Sequence, residues 1–160
     1  VWGGNHVVDS GVVMAGLDAW VYSRPYRGAA GGGDVHYVSS CATGRITRLL
    51  LADVSGHGSL VAEPARELRT LMRQYVNYLN QARFVGELND RLGSWSGEGR
   101  FATAITRTFF APTNYLTLCN AGHPPPLLYR AKAREWSALD AGCHGVATPA
   151  HETDGNAPLG

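Results

Sequence analysis

The amino-acid sequence predicts an α+β domain in which strands come first, two helices follow, and further strands close the order. Three observations carry that prediction. β-rich runs bounded by Gly, Pro and Asn lie before residue 54 and again after residue 100. Between residues 60 and 95 the apolar residues instead recur at three and four. The chain has 160 residues, 44% hydrophobic and 17% charged, which suits one domain with a real core and is too short for two ordinary ones. A single domain over 1–160 is therefore expected.

Residues 1–16 are rich in Gly and Val with weak periodicity, and form a lead-in of unassigned structure. Leu17 to Ser23 alternates as a strand, and Arg27 to Gly33 (R-G-A-A-G-G-G) is a flexible connection. Val35 to Cys41 and Arg45 to Ala52 are β-rich runs separated by Ala42-Thr43-Gly44, the pattern of a hairpin. From Leu60 the period becomes helical: Val61, Ala65, Leu68, Met72 and Tyr75 or Val76 share one face, with Arg66, Arg69 and Arg73 between them as a solvated face. Pro64 is tolerated near a first turn, which places the helix start close to Leu60–Glu63. A second helix runs from Phe84 to Trp95, with Phe84, Leu88 and Leu92 at i, i+4 and i+8. Strands follow at Phe101–Phe110, Tyr115–Cys119, Leu127–Arg130 and Glu135–Ala138, and Pro124-Pro125-Pro126 marks a sharp exit from one of them.

Composition excludes several classes of function. The net charge is +1, so no overall basic field exists to hold nucleic acid. No apolar run approaches transmembrane length and no charged n-region precedes an apolar stretch, so no membrane segment is expected and a cytoplasmic location is. Cys41, Cys119 and Cys143 are widely spaced and read as small buried hydrophobes. Cys143, His144 and His151 lack the spacing of a zinc site. The chain starts at Val1 rather than Met, so it reads as an excised piece.

The most informative stretch is Leu49–Leu60 (L-L-L-A-D-V-S-G-H-G-S-L), where a buried strand ends on a carboxylate and a loop of small residues. With Thr43 and Gly44 as the hairpin turn, Asp34 and Asp53 lie equally far from it, on opposed strands and the same face. Opposed residues have Cβ atoms about 4.5–5.5 Å apart, and like charges there repel. Such a pair is reconciled by a cation, a shared proton or water; the alternative is two solvated strand-end aspartates. Oxygen-only ligands suit Mg²⁺ or Mn²⁺ better than zinc. The glycines at 31–33 admit close approach, and the junction from Val54 to Gly58 offers main-chain groups at a helix start, where phosphate is attracted. Three other chemistries fail on the letters. G-x-G-x-x-G meets Val61, a Walker loop lacks its lysine, and a G-x-S-x-G elbow around Ser55 finds Asp53.

Five segments then occur in one order: Gly32-Gly33-Asp34; Ala52-Asp53-Val54-Ser55-Gly56-His57-Gly58; Phe101-Ala102-Thr103-Ala104; Asn120-Ala121-Gly122-His123-Pro124-Pro125-Pro126-Leu127-Leu128; and Pro158-Leu159-Gly160. From about Leu17 to Gly160 the chain resembles the bacterial metal-dependent serine/threonine phosphatases of the PP2C superfamily, in the branch of stage II sporulation protein E and the stress-response phosphatases. The resemblance implies an α-β-β-α sandwich of two mostly antiparallel sheets flanked by helices, with a two-metal site at one end. It implies Asp53 as a bridging carboxylate, the Val54 carbonyl as a ligand of one Mn²⁺ or Mg²⁺, and Asp34 as serving the other. A metal-activated water would then attack phosphorus in line and displace a seryl or threonyl oxygen. His57 would protonate that oxygen or fix its loop, Asn120 and His123 would support the site, and Thr103 would be core or an outer support. The implied substrate is a phosphoserine or phosphothreonine protein such as an anti-sigma-factor antagonist. The competing reading is a non-catalytic module that binds a regulatory protein; a small-ligand or nucleotide sensor is a third.

The family pattern continues after P-L-G with two strands carrying a T-D-G aspartate and a later acidic pair. Here Thr153-Asp154-Gly155 precedes Pro158-Leu159-Gly160, and the sequence given ends at Gly160. The expected domain therefore lacks the C-terminal strands, its metal site is incomplete, and metal binding and activity are weak. An exposed sheet edge would then favour a homodimer.

Overall fold

A computed structural model describes residues 2–78, 80–96 and 99–139. The Thr153–Gly155 and Pro158–Gly160 segments, Cys143, His144 and His151 lie outside the described residues. In chain order the elements are β1 (Trp2–Gly4), β2 (Val8–Met14), β3 (Leu17–Ser23), β4 (Asp34–Ser40), β5 (Ile46–Val54), α1 (Ser59–Tyr75), α2 (Gln81–Ser96), β6 (Ala102–Phe110), β7 (Tyr115–Ala121), β8 (Leu127–Arg130) and β9 (Glu135–Ala138). The fold is α+β, as expected. A five-stranded antiparallel sheet runs in the order β1-β4-β5-β6-β7, and β2–β3 and β8–β9 form separate two-stranded sheets.

The 1–16 lead-in is the largest correction. It contains β1, which extends the central sheet by pairing with β4, and β2, which pairs along its whole length with β3. These strands carry no strong apolar alternation, because backbone pairing and one polar anchor hold the first of them. The anchor is Asn5, only 6% exposed. Its Nδ2 donates to the carbonyls of Gly32 and Ala62 (3.1 Å each), and its own carbonyl accepts from the Gly32 amide (2.8 Å).

Both helices pack on one face of the central sheet. Val35 and Tyr37 of β4, Leu50, Ala52 and Val54 of β5, Ala102 and Ala104 of β6 and Ala121 of β7 form its apolar surface. Against it lie Val61, Ala65, Leu68 and Met72 of α1 and Phe84, Leu88, Leu92 and Trp95 of α2, the periods read from the sequence. The four alanines thin the sheet surface so that helices approach closely, and each buried Leu or Phe stabilises by about 1.5–3 kcal/mol. At the far end of this face the Arg48 guanidinium donates to the Tyr78 carbonyl. Gln81 Nε2 donates to Thr108 and Thr117 hydroxyls (2.8 Å each).

Two smaller expectations change. α1 begins at Ser59, so Pro64 lies in its second turn rather than its first and removes the amide partner of the Leu60 carbonyl. Leu60 is 85% exposed, so that carbonyl loses its partner at a residue facing water. Cys119 is buried in β7 but is disulfide-bonded rather than a simple buried thiol, and Cys41 is exposed at the hairpin turn, where its thiol is bonded to Thr43 and to the Ile46 amide.

Candidate metal centre

The site begins with the β4–β5 hairpin. Its connection is four residues, 42–45, rather than two: the Cys41 amide donates to the Ile46 carbonyl and the Gly44 amide to the Cys41 carbonyl (2.9 Å each). Both loops are centred between Thr43 and Gly44, so the register is unchanged, and Asp34 stands directly opposite Asp53. Asp53 in turn faces Thr103 of β6. Alternation puts Val35 and Tyr37 into the helix-covered core and therefore turns Asp34, Asp53 and Thr103 to the other face.

The electrostatics of this face follow from that pairing. Desolvation, and then the charge of Asp34, raise the Asp53 carboxyl above its ordinary range, with His123 acting in the opposite sense. Burial lowers the His123 imidazole, while Asp53 and Asp34 pull it back up. Two carboxylates and a desolvated imidazole therefore share one field. Asp53 resists ionisation first because it is partly desolvated and then because a like charge stands across the strand pair.

His123 is fixed by two neighbours. Its Nδ1 is 2.8 Å from the Thr103 hydroxyl. Asn120 Nδ2 donates to the His123 carbonyl (2.7 Å), and the His123 amide donates to Asn120 Oδ1 (2.8 Å), a reciprocal clamp across the turn that leaves β7. We expect Asn120→Ala to orphan both main-chain groups and to cost about 1–3 kcal/mol. Chemical denaturation checks this; an unchanged midpoint would mean that the clamp contributes nothing.

Gly33 sets the remaining geometry. A Cβ at this residue would lie 2.7 Å from the Val54 carbonyl oxygen and 3.3 Å from Asp53 Oδ1. Both oxygens thus border one small niche that only glycine leaves open. The Val54 amide also donates to the Gly33 carbonyl (3.2 Å), tying the two strand ends together. A Val61 methyl, 3.5 Å from that Cβ, closes the niche on the helix side. The polar donors at this strand end are oxygen only: the Val54 carbonyl and Asp53 at the niche, and Asp34 opposite Asp53. Among the described residues no group of three or more His, Cys, Asp or Glu side chains could hold a metal ion. An oxygen set with water completing the shell fits Mg²⁺ or Mn²⁺, which keep several waters, and does not fit a closed zinc site.

The structure therefore brings together Asp34, Asp53, the Val54 carbonyl, Thr103 and His123, with Asn120 behind His123. His57 is exposed in the loop before α1, with its ring 5.5 Å from that of Tyr26. Sequence reasoning missed Asn5, the residue that anchors the glycine run before Asp34. A single Asn in a glycine-rich segment carries no periodic or motif signal.

Residues 43–149 match the family model of stage II sporulation protein E (SpoIIE). The chain belongs to the SpoIIE family, whose fold and chemistry are PP2C-like. A solved structure, described as the RsbU and RsbW domains of Rv1364c from Mycobacterium tuberculosis, superimposes with a TM-score of 0.64 at 26% identity. The match covers 77% of this chain and 35% of that one, so the chain corresponds to about a third of that structure's length. This SpoIIE-family chain thus has a phosphatase-type fold with two opposed acidic side chains on the sheet face away from its helices.

Proposed function

We propose that this chain is a metal-dependent protein phosphatase domain acting on phosphoseryl or phosphothreonyl protein. The observation that carries the reading is the direct opposition of Asp34 and Asp53 beside the niche at Gly33. Those carboxylates and the Val54 carbonyl would hold Mn²⁺ or Mg²⁺, which when bound supplies an activated water and positive charge for a phosphate. The strands hold the two carboxylates at fixed separation, so little reorganisation is needed on binding a cation. Burial lowers the His123 imidazole against the pull of Asp53 and Asp34, and the Thr103 hydroxyl lies 2.8 Å from its Nδ1. Its other nitrogen then serves as a hydrogen-bonding group for the phosphoryl or seryl oxygens. His57, packed on Tyr26, holds the Ser55–Gly58 loop rather than the leaving oxygen. By family resemblance the substrate class is a phosphorylated regulator such as an anti-sigma-factor antagonist, met in the cytoplasm, and β7, at the rim of the central sheet, would be the edge available to a second copy.

A second reading is favoured by one observation, the lack of a third acidic ligand among the described residues. On it the domain binds a phosphoprotein without turnover. Phosphate release from a phosphoseryl protein separates the two. The catalytic reading expects release in Mn²⁺ that stops with chelator and returns when Mn²⁺ is restored. Binding of the phosphoprotein with no release at saturating Mn²⁺ would establish the second reading instead.

A further inference from the structure

We propose that His6 and His36 form a second metal site, selective for imidazole-binding divalent ions such as Ni²⁺, Zn²⁺ or Cu²⁺, separate from the oxygen-lined centre at Asp34 and Asp53. His36 lies on β4 and is only 4% exposed. Its Nε2 is buried with no hydrogen-bond partner. A buried polar nitrogen left unpaired is costly, so native proteins rarely keep one without a use.

What surrounds the His36 ring is aromatic and basic. The Trp2 ring meets the His36 ring edge-on at 5.1 Å, and the His6 ring lies 6.4 Å away at 60°. His6 reaches this place because its neighbour is glycine. Gly4 is the register partner of His36, and a Cβ on Gly4 would fall 2.4 Å from His6 Nδ1. The imidazole of His6 therefore fills the space across from His36 that a side chain at position 4 would claim. Asn5, bonded to Gly32 and Ala62, fixes the backbone immediately before it.

Two imidazoles on one ion, each with a metal–nitrogen bond of about 2.0–2.1 Å, have ring centres about 5 Å apart at a tetrahedral angle and about 6.4 Å apart only when the two nitrogens lie on opposite sides of the ion. The observed separation equals the opposite-sided limit, so a tetrahedral ion requires the exposed His6 ring to move closer by about 1 Å. Imidazole nitrogen suits Ni²⁺, Zn²⁺ and Cu²⁺, whereas Mg²⁺ and Mn²⁺ prefer oxygen, so the two sites sort their metals by donor type. Among the described residues no third side chain joins the histidines, so water completes the shell, and the nearby Arg69 cation limits affinity. A bound ion would tie the β1–β2 connection to β4 two residues from Asp34, and would stabilise the fold by mass action.

The test is titration of the untagged chain with Ni²⁺ alone, in a Cys41→Ser background that removes the exposed thiol as a competing ligand. Calorimetry and thermal melting are the readouts. The expected result is one ion per chain and a raised melting temperature. In His6→Ala, whose metal-free melting should be unchanged, binding weakens by about tenfold or more, at least the loss that removing an outer-shell partner causes in other sites. Asp53→Asn should bind Ni²⁺ as the parent does, and His36→Gln should repeat the loss seen in His6→Ala. Equal binding by His6→Ala and parent, abolition by Asp53→Asn, or no Ni²⁺ binding at all would overturn the proposal.

Discussion

Asp53→Asn should make the metal-free protein more stable while weakening its hold on Mn²⁺. Removing one of two like charges set directly opposite each other relieves up to about 1 kcal/mol. For a chain of this size that corresponds to a rise of about 2–4 °C in melting temperature. The sign of the pH dependence follows from the direction of the shift. Asp53 has a native pKa above its ordinary 3.8, so over the window beginning there the native state binds more protons than the unfolded chain. Stability from this group is full below that window and is lost as pH rises through the native pKa. The wild type minus Asp53→Asn difference in unfolding free energy, measured from pH 4 upward without metal, should therefore fall with pH. A destabilised variant, or a difference independent of pH, would mean that the carboxylates do not oppose each other as placed.

Gly33→Ala should damage both fold and metal binding. Its Cβ would sit 2.7 Å from a backbone oxygen, a distance at which the Val54 carbonyl has to shift. Overpacking of this kind costs about 1–3 kcal/mol, and here the displaced atom is a proposed ligand. Gly86→Ala is the control. Gly86 lies in α2 with no atom within 4 Å of an added Cβ, so alanine there should stabilise by about 0.5–1 kcal/mol and leave metal binding alone. Loss of Mn²⁺ affinity in Gly33→Ala but not in Gly86→Ala is expected. Unchanged affinity in Gly33→Ala would remove the Val54 carbonyl from the centre.

The two variants bear on how much of this molecule is legible in its letters. The Asp34–Asp53 opposition is legible because antiparallel register depends only on the midpoint of the turn. The loop is two residues longer than read, yet symmetric about the same point, so every pair survives. The helices are legible because Leu68, Met72, Phe84, Leu88 and Leu92 recur at helical spacing against an apolar sheet surface half made of alanines. The first sixteen residues are not. β1 is held by main-chain pairing and by one buried amide, and neither leaves a pattern of apolar side chains. His123 illustrates a different limit. Its motif marks it as a site residue and the Asn120 clamp is local, three residues away, but its Thr103 partner lies twenty residues back on β6 and depends on how the two strands pack together, which no local spacing encodes. His57 carries an equally strong motif, and its ring contact with Tyr26 depends on a loop path the sequence does not dictate.

The claim on which the rest depends is that Asp34 and Asp53 jointly hold the cation. Mn²⁺ titration followed by electron paramagnetic resonance, on the wild type, Asp34→Asn and Asp53→Asn, tests it most directly. Both variants should bind Mn²⁺ at least about tenfold more weakly than the wild type, by the same reasoning from the loss of metal-site partners. Wild-type affinity in either variant would contradict the account.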